Sequence, residues 1–272
     1  MKFTTRIAAA LAAAALSVSL AACGGDGEGG AGGDTITIGI KFDQPGLGQK
    51  VGDGYQGFDV EVAKYVAKEM GYNEDKIVWK ESPSPQRENL IMGGQVKLIF
   101  ATYSITDARK EKVSFAGPYF VAGQDLLVKN DSDITSVEGL KGKKLCSVTG
   151  STSAKKVGEK VPGVQLQEFD TYSKCVDALA NGSIDAVTTD DVILAGYAAQ
   201  DNYKGKLKVV GAPFTEERYG VGMKKGDKDT CEKVNAAIKK MIESGDWKKA
   251  LDKTVGPSGY KAPEPPSQDA CS

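Results

Sequence analysis

The 272-residue chain contains no histidine. That absence removes Ser-His-Asp and Cys-His catalysis, which need an imidazole to move a proton, and it removes the ligand on which catalytic zinc sites most depend. Charge of neither sign is in excess: 35 Lys+Arg stand against 36 Asp+Glu, so no basic field is available to hold a nucleic acid. Beyond the N-terminal segment no apolar run approaches membrane length, which excludes a permease or a transmembrane sensor. Neither GxGxxG nor GxxxxGK[ST] occurs, so the sequence signatures of dinucleotide and nucleoside triphosphate binding are missing. Cysteines at C-x-x-C spacing are absent too, and no metal or cofactor is expected.

What is present begins at the N-terminus. Lys2 and Arg6 precede an Ala/Leu-rich run from Ile7 to Leu20, too short to span a bilayer and followed at once by small residues. Leu20-Ala21-Ala22-Cys23 resembles the lipobox of bacterial lipoproteins, which implies a signal peptide over 1–22 and a diacylated Cys23. An ordinary secretory signal with a chance cysteine would carry the same consequence of export. Residues 24–34, GGDGEGGAGGD, have no means of building a core and read as a tether with a reach of about 18 Å. The remaining four cysteines, Cys146, Cys175, Cys231 and Cys271, are even in number, which in an exported chain suggests two disulfides. Three pairings are formally possible. Cys146–Cys175 with Cys231–Cys271 keeps each bridge within one expected lobe and is favoured.

From Thr35 onward strands alternate with helices. TITIGI (35–40), KIVWKE (76–81), KLIFAT (97–102) and GQDLLVK (123–129) read as strands, FDVEVAKYVAKEMG (58–71) and QRENLIMGG (86–94) as helices ended by glycine. A second series follows: strands at 144–148, 164–169, 184–189 and 207–212, and helices at 152–161 and 171–182. A final helical segment, 229–256, is broken at Gly245, and a Pro-rich tail runs on to Cys271. The segment through Tyr119 reads as a loop. Such alternation predicts an α/β protein with largely parallel sheets, and two similar series predict two lobes.

Four segments carry a resemblance. GFDVEVAKYVAKEM (57–70), ATYSITDARKEKVSFAGPYF (101–120), GSTSAKK (150–156) and IDAVTTDD (184–191) are similar, in order and spacing, to family 3 of the extracellular solute-binding proteins, the polar amino-acid receptors of ABC importers. With the lipobox, the chain most resembles the glutamate-binding lipoproteins of actinobacterial type. The resemblance implies a periplasmic-binding-protein-like (type II) fold: two α/β lobes joined by two hinge strands, with the ligand in the cleft between them. It sets lobe 1 at 35–121 and 215–261, lobe 2 at 122–214 and a C-terminal tail at 262–272.

It also implies a site. Free amino acids present a carboxylate, an ammonium and a side chain, and each charge taken from water needs a fixed partner. Arg109, in SITDAR (104–109), matches the family's carboxylate-gripping arginine, whose planar fork suits two oxygens at once; Thr102 and Ser104 match its other polar contacts. Gly150, Ser151 and Thr152 lie between a strand and a helix, where free N–H groups and the helix dipole favour an anion; the same residues would also make a plain turn with Thr152 as N-cap. Asp190 matches the ammonium-binding acid, with Asp191 as its rival. Lys41 and Arg87 match basic positions of the acidic-ligand binders, giving with Arg109 and Asp190 a pocket of net charge +2 in Lys41, Arg87, Arg109 and Asp190. Where many relatives stack an aromatic ring on the ligand, this chain has Asp43, and Phe42 or Phe58 is expected to substitute.

The expected function is capture of an acidic amino acid, L-glutamate before L-aspartate, by a monomeric lipid-anchored receptor on the extracytoplasmic face of the membrane. Delivery would be to ABC permease subunits driven by a separate cytoplasmic ATPase. The competing expectations are a cyclohexadienyl or arogenate dehydratase on the same fold, and an amino-acid-sensing lipoprotein without transport.

Overall fold

The computed structural model describes residues 35–271. The expected signal peptide, Cys23 and the Gly-rich tether lie outside the described residues.

The chain first builds β1 (Ile36–Ile40), a small antiparallel sheet of β2 (Asp43–Gln44), β3 (Gly48–Val51) and β4 (Gly54–Gln56), then α1 (Phe58–Glu69), β5 (Ile77–Glu81), α2 (Arg87–Met92), β6 (Leu98–Phe100), α3 (Asp107–Lys110) and β7 (Val113–Ala122). It crosses at Gly123 into β8 (Gln124–Lys129), β9 (Lys144–Val148), α4 (Thr152–Lys160), β10 (Gln165–Phe169), α5 (Tyr172–Ala180), β11 (Ala186–Asp190), α6 (Asp191–Ala198) and β12 (Leu207–Val209). It then returns through β13 (Glu217–Lys224) to α7 (Lys228–Glu243) and α8 (Asp246–Thr254). Two five-stranded sheets result, ordered β5-β1-β6-β13-β7 and β10-β9-β11-β8-β12. These, with their helices, are lobes 1 and 2.

The sheets correct the expectation of largely parallel pairing. In lobe 1, β1 runs parallel to β5 and β6, but β13 is antiparallel to both β6 and β7. Lobe 2 repeats the pattern: β9 is parallel to β10 and β11, while β8 is antiparallel to β11 and β12. The antiparallel members are the strands that carry the chain between lobes or bring it back, so their direction follows from the crossing. Besides the short β2–β4 sheet and α3, the elements outside the expected ones include β7, β13 and α6. β7 occupies what reads as a loop, because Gly117-Pro118 interrupts a ten-residue strand whose side chains are nearly all buried. β13 is broken up by Gly220 and Gly222, against which Ile105 and Tyr103 pack too closely for a Cβ. α6 is apolar nearly all round, with six of its eight residues buried, so it lacks the stripe that marks an amphipathic helix.

Elsewhere the residues dictate the elements directly. α1 buries Val60, Val62, Ala63, Val66 and Ala67 along one face, and Gly71 at φ 93° ends it. Gly245, at φ 77°, separates α7 from α8. The lobe 1 core centres on Phe58, which meets Trp247 edge-on at 5.5 Å and Phe120 at 5.7 Å; the Trp247 indole N–H donates to the Tyr119 carbonyl.

Both favoured disulfides form, Cys146–Cys175 joining β9 to α5 and Cys231–Cys271 pinning the C-terminal tail to α7. The tail then lies against β7 and β13. The Asp269 N–H donates to the Gly117 carbonyl at 2.6 Å, the Asp269 carboxylate pairs with Arg218 at 2.7 Å, and Asn235 donates to the Asp269 carbonyl. Replacing Cys231 and Cys271 by serine should therefore cost roughly 2–4 kcal/mol of unfolding free energy, as for loops of this length. Urea unfolding checks this, and an unchanged midpoint would show that the tail needs no bridge.

Candidate ligand cleft between the lobes

The C-terminal ends of β1 and β6 in lobe 1 face the N-termini of α4 and α5 in lobe 2, and the space between them is a tightly closed polar cavity of about 10 Å³, room for little more than one water molecule. Gln44, Ser84, Arg87, Thr102, Arg109, Ser151, Thr152, Ser153, Tyr172, Asp190 and Ile193 line it. Larger hollows occur on the surface, such as the one of about 520 Å³ between α1 and α8. Its lysines and acids are half-buried to exposed and largely paired with one another, as Lys253–Glu61, Lys64–Glu74 and Lys249–Asp246. The inter-lobe cavity instead holds buried Arg87 and Asp190, neither of which forms an ion pair among the described residues.

Arg87 opens α2 after Ser82-Pro83-Ser84-Pro85-Gln86, where the two prolines restrict the approach. It is 3% exposed, its Nε donates to the Ser82 carbonyl at 3.1 Å, and its guanidinium lies 5.2 Å from the Tyr103 ring centre. Among the described residues no carboxylate forms an ion pair with it. Burial, and then the neighbouring Arg109, push its pKa down. Arg109 is delivered by α3, whose N-cap Thr106 accepts the Arg109 N–H. Its guanidinium lies 4.8 Å from the same Tyr103 ring. Nη1 donates to the Ser104 carbonyl at 2.8 Å, and Nη2 reaches across to the Gly150 carbonyl of lobe 2 at 3.5 Å. Glu88 approaches its Nε at 3.5 Å and accepts the Tyr103 hydroxyl.

Thr102 adopts a left-handed conformation, φ 45°, which for a β-branched residue persists only where neighbours over-determine it. Asp59, fully buried in the first turn of α1, supplies that constraint: it accepts the Thr102 N–H at 2.9 Å and the Tyr119 hydroxyl at 2.7 Å. The Thr102 hydroxyl meets the Gln44 amide at 3.1 Å.

From lobe 2, Ser151 caps α4 by accepting the Ala154 N–H at 3.0 Å. The N-cap is thus Ser151, one residue earlier than the turn reading with Thr152. Thr152 and Ser153, in the first turn of α4 where N–H groups lack intrahelical partners, line the cavity at the positive end of the helix. Asp190 ends β11; its Oδ2 accepts the Tyr219 hydroxyl at 2.6 Å, while its Oδ1 is buried with no hydrogen-bond partner. Burial, and then Glu217, hold its carboxyl well above the usual range. Glu217 is itself bound by Gln124 at 2.8 Å and by Lys156 of α4 at 2.5 Å, which ties the returning strand to lobe 2.

Of the residues singled out from sequence, Arg87, Thr102, Arg109, Ser151, Thr152 and Asp190 meet at this cavity. Ser104 and Gly150 do not line it but contribute the carbonyls that orient Arg109. Asp191 turns away, accepting the Gly123 N–H and the Tyr260 hydroxyl. Lys41 is fully buried but off the cavity: its Nζ lies 2.8 Å from Asp43 Oδ1. Burial lowers its pKa, opposed by Asp43. Phe58 belongs to the lobe 1 core and Phe42 sits against Lys41, so neither provides an aromatic wall. The ring on the cavity is Tyr172 of α5, a residue that sequence reading passed over with Gln44, Ser84, Ser153 and Ile193. The Thr171 cap before α5 was the available signal, since first-turn residues sit where free N–H groups collect.

A profile of the bacterial extracellular solute-binding proteins, family 3, matches residues 36–257. The chain belongs to that family. A family member from Corynebacterium glutamicum, the glutamate-binding protein GluB, is 48% identical over 234 residues, covering 82% of this chain and 79% of its own. The glutamine-binding protein GlnH of the Bacillus subtilis ABC transporter is 40% identical over 226 residues, covering 82% and 81%. Among solved family 3-like structures, an ancestral arginine-binding protein bound to glutamine superposes with TM-score 0.76 at 34% identity, over 82% of this chain and 98% of that one. The type II fold and the extracytoplasmic setting follow from this membership.

Asp59 links fold stability to pH. Burial raises its carboxyl to about 6, whereas in the unfolded chain it ionises near 4. Between those values the folded state holds the proton that the unfolded state has lost, so this group's contribution to stability falls as pH rises from about 4 through about 6. Asp59→Asn should flatten that slope in urea unfolding measured across the window; parallel curves for both proteins would contradict the assignment.

Proposed function

We propose that this protein is the receptor of an ABC importer and closes its lobes on an acidic amino acid, L-glutamate before L-aspartate. The observation that carries the reading is Arg87: a buried guanidinium on a cavity wall with no carboxylate partner among the described residues. An unpaired buried ion costs several kcal/mol, which an incoming anion offsets. Arg109 and the α4 N-terminus at Ser151 and Thr152 take the ligand's α-carboxylate, Asp190 Oδ1 takes the ammonium, and Arg87 takes the side-chain carboxylate with Ser84, Gln44 and Thr102 around it. The charged cavity residues Arg87, Arg109 and Asp190 sum to one positive charge, opposite to the single net negative charge of glutamate or aspartate. The resemblance to GluB supports glutamate; the resemblance to GlnH makes glutamine the neutral competitor that a test must include. Lipid on Cys23 holds the receptor at the outer face of the membrane, where as a monomer it hands ligand to permease subunits served by a separate ATPase. Binding without turnover is proposed, and prephenate or arogenate should be recovered unchanged.

Calorimetric titration against a panel of amino acids tests this. L-Glutamate should bind, and at about a hundred times its Kd should stabilise the fold by roughly 2.7 kcal/mol. Arg109→Ala should weaken glutamate and glutamine alike, by roughly 2–5 kcal/mol. Arg87→Met should weaken glutamate far more than glutamine while raising the ligand-free melting temperature, because an uncompensated buried charge is removed. Equal losses for the two ligands, with no gain in ligand-free stability, would contradict the role given to Arg87.

A further inference from the structure

Beside the cavity, the turn after β1 makes a second junction between the lobes that no ligand-lining side chain explains. Asp43, on β2 of lobe 1, accepts the N–H of Tyr172 at 2.8 Å through Oδ2. Tyr172 is the first residue of α5, so a carboxylate meets the positive end of a lobe 2 helix. The Asp43 carbonyl accepts the hydroxyl of Tyr197 in α6, which also lies 3.5 Å from Asp43 Oδ2. Two residues on, the Pro45 carbonyl sits against Gly196 of α6 so closely that a Cβ there would collide with it. Behind the junction stands Lys41, 0% exposed, with its Nζ 2.8 Å from the other Asp43 oxygen. None of Lys41, Asp43, Pro45, Gly196 and Tyr197 lines the cavity, but the neighbours they hold, Gln44 and Tyr172, do.

We propose that Asp43, backed by Lys41, is a closure latch and a positioning residue for Tyr172. It joins lobe 1 to the α5 N-terminus and to Tyr197 only when the lobes meet, and so strengthens binding of every ligand of the cleft without reading the ligand's side chain. The proposal rests on the solute-binding reading of the cavity and reassigns Lys41, which sequence reading set on the ligand. The Lys41–Asp43 pair lies within lobe 1, so it survives opening and keeps the carboxylate aimed. What opening breaks is the grip on Tyr172 and Tyr197. Since apparent affinity scales with the fraction of molecules in the binding-competent state, losing the latch multiplies every Kd by one common factor. A hydrogen bond to a charged group is the size of interaction that makes this factor about 10–100.

The test uses three variants of the full protein. Asp43→Ala removes the latch, the double variant Lys41→Met/Asp43→Asn keeps an acceptor for the Tyr172 N–H without stranding a charge, and Gly196→Ala obstructs the junction from lobe 2 with a good helix former. Two readouts are taken: Kd and dissociation rate for L-glutamate and L-glutamine, and the distance between fluorophores on the two lobes without ligand. Asp43→Ala and Gly196→Ala should weaken both ligands by the same factor, speed dissociation and lengthen the ligand-free distance, while the double variant should regain most of the affinity lost by Asp43→Ala. Selective loss of glutamate in Asp43→Ala would overturn the proposal by making the pair a reader of the side chain. Wild-type affinity in Gly196→Ala would overturn it by making the junction idle. If the unmodified protein binds no amino acid, the functional reading fails, but the ligand-free distances still decide the latch.

Discussion

Two arginines held out of water around one tyrosine ring set the terms for the rest of this molecule. Arg87 and Arg109 both lie about 5 Å from the centre of Tyr103, and between them only Arg109 is approached by a carboxylate, Glu88 at 3.5 Å. Like charges in a low-dielectric cavity repel, so an anion bound between the lobes would relieve the arrangement. The protein-side groups around it are a helix N-terminus at Ser151, hydroxyls from Thr102 and Ser84, and a buried Asp190 oxygen with no hydrogen-bond partner. A free acidic amino acid supplies the complementary set.

The fold exists to bring these groups together from opposite sides. Lobe 1 contributes both guanidiniums through elements stiffened by proline and capping, and lobe 2 contributes the α4 and α5 N-termini and Asp190. The two halves meet through Arg109 on Gly150, Tyr219 on Asp190, Lys156 on Glu217, and Asp43 on Tyr172. Only part of this interface touches the cavity. The remainder shifts the balance between open and closed lobes whatever occupies the cleft, which separates the strength of binding from its selectivity.

Much of this was legible in the sequence, for identifiable reasons. The stripe on α1 and the Gly245 break follow from local spacing, and the disulfide partners from an even cysteine count together with keeping each bridge inside one lobe. Arg109, Arg87 and Asp190 follow from the family resemblance, since as isolated residues they look like surface charges. What stayed hidden depended on contacts distant in sequence. Lys41 reads as a ligand contact until Asp43 is seen beside it. Tyr172 gains its role only when α5 of one lobe is set against β2 of the other. β7 and β13 are obscured because their glycines and proline, which argue against strands, are there to admit Tyr103, Ile105 and the paired backbone.

The most direct measurement is a crystal structure of the protein with L-glutamate. The expected result is the side-chain carboxylate on the Arg87 guanidinium and the α-carboxylate on Arg109, with the ammonium on Asp190 Oδ1. A ligand bound elsewhere, or an Arg87 guanidinium turned to a protein carboxylate with the cleft unoccupied at saturating glutamate, would contradict it.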